Sequence, residues 1–192
     1  LWSSPGSWVE GAAPVAGSDL TFPSTAVTFN PVNDLASGFQ ITEIEIEGSG
    51  YVLSGNKITL SNGIDLYGTS AGPAAISLPI TFSASQFVNT TKPLTLSGAL
   101  QLNNAVTAIG PITITGALSG TASLLVQGSG TVVDVHTTST GTGSIQAQSV
   151  GYLKFNGSHK GPLSVQSDST MEVTGSATQI LASGQFYVGG KD

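Results

Sequence analysis

The chain of 192 residues is long enough for one domain with a sizeable core, yet only 8% of its residues are charged. A net charge of −6 without any arginine excludes a basic surface for nucleic acid and a polybasic attachment to an anionic membrane. The absence of cysteine excludes disulfides and thiolate metal sites, and no apolar run reaches the about 18 residues that a membrane-inserted segment needs.

Residues 1–40 differ in composition from the rest of the chain. They hold both tryptophans and four of the nine prolines. Proline cannot donate to a strand ladder, so it suits the end of a sheet. We expect one or two short strands here and an aromatic cap over the first repeat of residues 41–192. The cap residues are Trp2, Trp8, Phe22 and Phe29.

A short alternating pattern recurs along residues 41–192. Residues 93–98 (PLTLSG) return as 111–116 (PITITG) and more loosely as 152–157 and 170–175. Alternation with a period of two indicates a strand with one buried face, and the closing glycine allows a turn with positive φ. The copies lie about 18 residues apart, and their central residues are Glu45, Thr59, Thr81, Thr95, Thr113, Asp134, Lys154, Glu172 and Tyr187.

A second series of alternating strands is interleaved with the first. Its members are residues 100–102, 124–126, 145–147, 163–165 and 180–182. Two strand series with a common period near 20, and no helical periodicity, predict an all-β solenoid with one coil per repeat. An antiparallel sandwich is the competing fold, but the Asn-Gly turns typical of sandwich hairpins occur only at 62–63 and 156–157.

Several stretches resemble bacterial autotransporter-type passenger domains with β-strand repeats. They are residues 2–22 (with Trp2, Gly6-Ser7-Trp8 and Gly17-Ser18-Asp19), 50–60, 94–98 and 128–132. The resemblance covers most of the chain and implies a right-handed parallel β-helix, secreted or on a cell surface. It also implies that the chain is a fragment of a longer protein or its secreted part. We expect about eight rungs with three faces each.

Asp134 and Glu172 are the best candidates for chemistry, because they occupy the central column of the repeat with Lys154 between them. Two rungs of a sheet separate carboxylates by roughly 9–10 Å, which is close to the spacing in inverting glycosidases. The competing interpretation is an alternating charge ladder on an outward face. Lyases of β-helical fold commonly use arginine, which this chain lacks.

Three other groups invite a metal-site hypothesis. Glu43, Glu45 and Glu47 alternate along one strand, and the Asn62–Asp65 stretch could supply oxygens to Ca²⁺ in a turn. His136 and His159 lie about one repeat apart, without a carboxylate beside both. We interpret the glutamates as a solvated face that discourages edge pairing, and the histidines as surface or turn residues.

Threonines also align in the repeat, at Thr59, Thr81, Thr95 and Thr113. A regular outward threonine array is typical of ice-binding solenoids, although β-branched residues suit any strand. The column ends at Asp134 and Lys154.

The sequence as a whole favours a non-enzymatic, extracellular or bacterial cell-surface segment with a structural or adhesive role. A carbohydrate-active enzyme or carbohydrate-binding module, and an ice-binding solenoid, are the alternatives. We expect no catalytic, cofactor or metal site. The expected partners are a host or neighbouring-cell surface protein or glycan, or further copies of the chain. The expected display loops are residues 62–73, 103–110, 136–143 and 156–161.

Overall fold

The fold is a continuous stack of parallel strands wound into a β-solenoid. The computed structural model describes residues 1–166 and 168–188. Its strands form one sheet of nine strands and one of 13, and together they make about eight turns of the coil. A short 3₁₀ helix, Pro5–Ser7, precedes them. The predicted all-β solenoid is therefore confirmed.

The nine-stranded sheet forms one side of the solenoid, here called face C. Each rung contributes one strand to it, so the order of strands in the sheet follows the chain. The strands are β2 (Val32–Asn33), β4 (Val52–Gly55), β6 (Ala74–Ile76), β9 (Leu94–Leu96), β12 (Pro111–Ile114), β15 (Val132–Val135), β18 (Tyr152–Phe155), β20 (Thr170–Val173) and β22 (Gln185–Val188).

The other two sides, faces A and B, belong to the 13-stranded sheet. In the middle of the stack, each rung gives one short strand to each face. Face A holds β7 (Ile80–Phe82), β10 (Leu100–Leu102), β13 (Leu118–Gly120) and β16 (Thr138–Ser139). Face B holds β8 (Gln86–Thr90), β11 (Val106–Ile109), β14 (Leu124–Gln127) and β17 (Ile145–Gln148).

Toward the two ends of the stack, longer strands run through both faces A and B. These strands are β3 (Phe39–Ile46), β5 (Ile58–Leu66), β19 (Ser158–Val165) and β21 (Ser176–Ala182), and β1 (Ser18–Phe22) pairs with β3. Register shifts interrupt the β3–β5 and β19–β21 pairings where the chain passes from one face to the other.

The core is a set of apolar columns inside the coil. Because neighbouring strands are parallel and in register, equal inward positions of successive rungs stack on one another. One such column on face C contains Leu94, Ile112, Val133, Leu153 and Met171, each no more than 2% exposed. Full burial of each aliphatic side chain stabilises the fold by roughly 1.5–3 kcal/mol before chain entropy is subtracted.

The glycine that closes each repeat is needed because two rungs pass close to each other there, and not because the chain adopts a left-handed conformation. Gly98, Gly116, Gly157 and Gly175 do not adopt the positive φ that a glycine allows at this place. Instead, a Cβ atom on any of them would overlap the backbone of the preceding rung, such as the Gly157 carbonyl oxygen in the case of Gly175. Close approach of two backbones therefore explains these glycines.

The segments predicted as display loops mostly hold strands. Strand β5 covers Asn62 to Leu66, β11 lies within 103–110, β16 lies within 136–143, and β19 begins at Ser158. These strands belong to faces A and B. The alternating apolar pattern did not indicate them because they are short or carry polar residues. The second series of alternating strands predicted from the sequence does not lie on one face. Residues 100–102 lie on face A, and the other four members lie on face B.

The N-terminal segment both covers the stack and supplies its first rung. Strands β1 and β2 pair with β3 and β4, while Trp2 is buried to 1% exposure. The Trp2 ring centroid lies 6.4 Å from that of Trp8 and 6.0 Å from that of Phe22. Tyr51 continues the cluster, at 5.5 Å from Phe22 and 5.0 Å from Phe29.

Candidate functional site

The outer surface of face C carries the charge ladder that the repeat predicts. Asp134 pairs in register with Lys154, and Lys154 with Glu172, so the two acids lie two rungs apart with Lys154 on the strand between them. Strand spacing places their backbone positions roughly 9–10 Å apart. All three side chains alternate with buried residues and are partly exposed.

Each acid of the ladder has its own polar partner. His136 Nε2 lies 2.7 Å from Asp134 Oδ1, and the Tyr152 hydroxyl donates to Glu172 Oε2 at 2.6 Å. The Lys154 ammonium lies 5.6 Å from the centroid of the Tyr152 ring, within cation–π range. The two carboxylates thus contact different neighbours.

The ladder lies apart from the clearest cavities of the described residues. One cavity lies inside the coil and is lined by apolar side chains that include Leu102, Val106 and Ala108. Another lies near Ser139 and His159 and is also bordered by interior residues. Neither is lined by Asp134 or Glu172. A hydrolase acting on these acids would need a groove that holds a sugar chain against both of them.

A second group of acids lies at the N-terminal end of face B. Glu43 and Glu45 alternate with buried Ile44 and Ile46 along β3, as the sequence indicates. In the next rung, Asp65 pairs with Glu45. The glutamates therefore form part of an outward acidic patch and not a separate row.

Hydrogen bonds and mutual repulsion both act within this patch. Asn62 Nδ2 donates to Glu43 Oε2 at 2.9 Å, and Thr21 Oγ1 donates to Glu45 Oε2 at 2.9 Å. Burial raises the pKa of Glu43 above its ordinary value, and the hydrogen bond and charge of Asp65 raise it further against the opposing bond from Asn62. Glu43 is therefore an acid of this patch whose negative charge is destabilised by its surroundings.

The metal-site hypotheses lack a suitable ligand set in the described residues. Within residues 1–166 and 168–188, no group of three or more His, Cys, Asp or Glu side chains could hold a metal ion. The Asn62–Asp65 stretch is part of strand β5 and not a turn, so its oxygens do not surround a common point as in a calcium loop.

The two histidines have opposite surroundings. The side chain of His136 is 44% exposed and contacts Asp134. His159 is 6% exposed and lies inside the coil, where Nδ1 is 2.9 Å from Ser139 Oγ and Nε2 is 2.8 Å from the Gly143 carbonyl oxygen. The expectation that both are surface or turn residues is wrong for His159.

The predicted threonine column is wrong, because its members lie on two different faces. Thr59 pairs with Thr81 on face A, where Gln101 continues the column. Thr95 pairs with Thr113 on face C. Thr81 is also buried to 8% exposure. Each face therefore presents a short threonine pair and not an extended array.

Sequence reasoning missed two contacts of this region, the Tyr152–Glu172 bond and the Ser139–His159 pair. The first depends on a side-chain conformation that no residue spacing indicates. The second had a weak sequence indication, because His159 occupies an inward position of strand β19.

Comparisons with known proteins do not assign the chain to a family, so its class is defined by its fold. No protein-family model matches the chain, and neither a curated protein nor a solved structure is significantly similar to it. In the described residues, no helix is long and apolar enough to cross a membrane. The chain is thus defined as a parallel β-solenoid with outward polar columns.

Proposed function

We propose that this solenoid is a non-enzymatic structural and adhesive segment of a secreted or surface-exposed bacterial protein. The observation that carries the proposal is the continuous stack itself, with an apolar interior and three outward sheet faces along its length. Such a solenoid is a rigid spacer whose faces offer broad surfaces for contact.

The composition supports an extracellular location. Only 8% of the residues are charged, serine and threonine are abundant, and the chain has neither cysteine nor arginine. The resemblance of residues 2–22, 50–60, 94–98 and 128–132 to autotransporter-type passenger repeats points in the same direction. Partners of the proposed type are a host or neighbouring-cell surface protein or glycan, or another copy of the chain.

The proposed role excludes nucleic acid and membrane lipid as main partners. A net charge of −6 repels phosphate groups, and the five lysines are scattered along the sequence. The acidic patch around Glu43, Glu45 and Asp65 adds to this repulsion. Contacts through neutral polar columns fit proteins and glycans better.

A glycosidase is the second candidate, favoured only by the separation of Asp134 and Glu172. Its carboxylates would have to act as general acid and general base. Asp134 is engaged by His136, and Glu172 by Tyr152, which leaves each acid hydrogen bonded on a broad sheet surface. Ice binding has less support, since the threonines divide between faces A and C.

The experiment couples an adhesion assay with a turnover assay. Beads coated with the protein are mixed with bacterial cells, animal cells and immobilised glycans, while the soluble protein is incubated with uronate polymers, cellulose, xylan and chitin. We expect saturable binding to at least one surface and no product from any polymer.

Alanine variants then locate the binding face. The triple variant of Asp134, Lys154 and Glu172 removes the ladder of face C, and a matched triple variant of Thr59, Gln101 and Ser119 alters face A. Loss of adhesion in one variant alone would identify the contacting face. Hydrolysis that disappears in both Asp134→Asn and Glu172→Gln would replace the adhesive proposal with an enzymatic one.

A further inference from the structure

An inward column of face A changes from apolar to polar near the C-terminal end of the stack. Residues Ile58, Ile80, Leu100 and Leu118 stack in register, and the next two members are Ser139 and His159. Both are buried, at 3% and 6% exposure. A titratable side chain in a solenoid core is costly unless every polar atom has a partner.

The hydrogen bonds of His159 determine which tautomer the neutral ring adopts. The Gly143 carbonyl oxygen can only accept, so Nε2 of the ring carries the proton and donates to it. Nδ1 is then the acceptor, and the Ser139 hydroxyl donates to it. The neutral ring thus satisfies both of its nitrogens in a single tautomer, while the Phe155 ring packs edge-on at 6.3 Å.

These two bonds reinforce a part of the stack where the backbone pairing is short. Strand β16 has two residues and pairs in register with β13 through Leu118 and Ser139, and the N–H groups of Thr140 and Thr142 donate to the carbonyls of Leu118 and Gly120. The His159 ring lies on the next rung and reaches back to both Ser139 and Gly143. It therefore joins the segment 138–143 to β19 by side-chain contacts that supplement a short ladder.

The groups that face the ring do not compensate a positive charge. Ser139 on β16, Gly143 in the following turn, Phe155 on β18 and Ala177 on β21 are uncharged. The charged residues on the packed elements are Lys154 on β18 and Lys160 on β19, both at outward positions. The nearby acids are Asp134 and Glu172, which lie on the outer surface of face C. The other histidine, His136, follows strand β15 of that face.

We propose that His159 is a pH-sensitive latch, which fastens segment 138–143 to β19 when neutral and releases the C-terminal rungs on acidification. Protonation places a charge in the apolar interior and reverses the bond with Ser139, whose hydroxyl then accepts from Nδ1–H and loses the acceptor for its own proton. Strand β16 has only two residues, so the rungs that it joins are the ones that such a charge would loosen first.

The direction of the pH effect follows from the burial of the ring. Burial lowers the pKa of His159 below its ordinary value, and the bond to Gly143 opposes this in part. The unfolded chain therefore binds the proton first as pH falls. The stability that the neutral ring contributes is complete above the ordinary histidine pKa of about 6.5 and declines as pH falls toward the lower folded-state pKa.

Hydrogen exchange measures this opening directly. Peptides covering 136–148 and 158–182 are compared at pH 7.5 and pH 5.0 after correction for intrinsic exchange, with 86–102 as the internal reference. We expect the C-terminal peptides to exchange roughly fivefold faster or more at pH 5.0, the scale of one lost buried hydrogen bond, and the reference to stay unchanged.

Two variants separate the latch from general acid sensitivity. His136→Gln removes the exposed histidine and should keep the full pH response. The double variant Ser139→Ala/His159→Leu restores an apolar column and should lose the response. An equal response in the double variant, or equal acceleration of the reference peptide, would overturn the proposal.

A second measurement keeps the test decisive if the double variant does not fold. The protein has two histidines, so imidazole NMR of the wild type and of His136→Gln assigns both rings. We expect the neutral His159 ring to be the Nε2–H tautomer and to titrate below the ordinary histidine pKa of about 6.5. Titration of His159 at or above that value would refute the latch.

Discussion

Gly116 lies so close to the preceding rung that a Cβ atom on it would overlap the carbonyl oxygen of Gly98. The two glycines occupy the same place in successive repeats, two residues after the ends of strands β12 and β9 of face C. The stack thus brings backbone against backbone where the chain leaves this face. Any side chain at this point must push two rungs apart.

The first prediction is that Gly116→Ala destabilises the solenoid strongly. The added methyl group meets rigid backbone and not a flexible side chain, so the strain cannot be relieved locally. We expect the free energy of unfolding to fall by about 2 kcal/mol or more, measured by chemical denaturation.

Gly6→Ala is the matched control for this change. Nothing lies within 4 Å of a Cβ atom on Gly6, and its φ is not positive. The control should change stability by less than about 0.5 kcal/mol. Equal stability of both variants would show that the closing glycines are not required for close packing.

The sequence predicted the class of fold because alternation and repeat length are properties of the strands themselves. Six of the nine predicted centres, from Thr95 to Tyr187, do form one continuous column on face C. Glu45, Thr59 and Thr81 lie on other faces instead. The true earlier members of that column are Val52 and Ala75, whose short or exposed strands lack the threonine pattern.

The candidate site was predicted as far as backbone register determines it. The order Asp134, Lys154, Glu172 follows from repeat spacing and is confirmed. The contacts of His136 and Tyr152 with these acids depend on side-chain rotamers and on residues outside the repeat centre. Burial of His159 depended on recognising face A strands that are only two or three residues long.

The second prediction concerns the turn between β17 and β18, where Val150 has φ of 60° and Ser149 has φ of 51°. A β-branched residue is strained in the left-handed region, and Val150 is 51% exposed, so its side chain packs little. We expect Val150→Gly to raise the free energy of unfolding by roughly 0.5–1 kcal/mol, after the entropy that glycine adds to the unfolded chain.

Val27→Gly provides the same chemical change without the strain. Val27 is 96% exposed and its φ is not positive. It should be neutral or lose up to about 1 kcal/mol through unfolded-state entropy. Destabilisation of the protein by Val150→Gly, measured by thermal and urea unfolding, would contradict the predicted strain.

The third prediction is that Glu43→Gln stabilises the protein at neutral pH. Glu43 shares the face B surface with Glu45 and Asp65, and its pKa is raised by burial first and by Asp65 second. A glutamine can still accept the bond from Asn62 while the like-charge repulsion disappears. We expect a gain of roughly 0.2–1 kcal/mol at pH 7 and low salt.

The pH dependence distinguishes this effect from a change in packing. An acid whose folded-state pKa is raised binds its proton more tightly when folded, so Glu43 destabilises the protein as pH rises above its ordinary pKa. The advantage of Glu43→Gln should therefore shrink as pH falls toward 4 and shrink with added salt. The exposed Glu10→Gln is the control, and an equal gain there would refute the local explanation.

The fourth prediction is that Trp2→Ala opens the N-terminal end of the stack. Trp2 packs against Phe22 and Trp8, and the Trp8 indole nitrogen donates to the Trp2 carbonyl oxygen at 2.8 Å. Loss of a buried tryptophan side chain costs about 3–5 kcal/mol where the surroundings cannot collapse. Here it also uncovers Phe22 on the first rung, so we expect a lower melting temperature together with concentration-dependent association.

Leu1→Ala tests whether the effect is specific to the buried ring, since Leu1 is 63% exposed and precedes Trp2 directly. It should leave both the melting temperature and the sedimentation behaviour unchanged. Sedimentation velocity over a range of concentrations, with thermal unfolding by circular dichroism, measures both properties. A monomeric Trp2→Ala variant with an unchanged melting temperature would contradict this prediction. The apolar residues of the first rung would then stay protected without the Trp2 ring, so the aromatic cluster would not be what protects that rung.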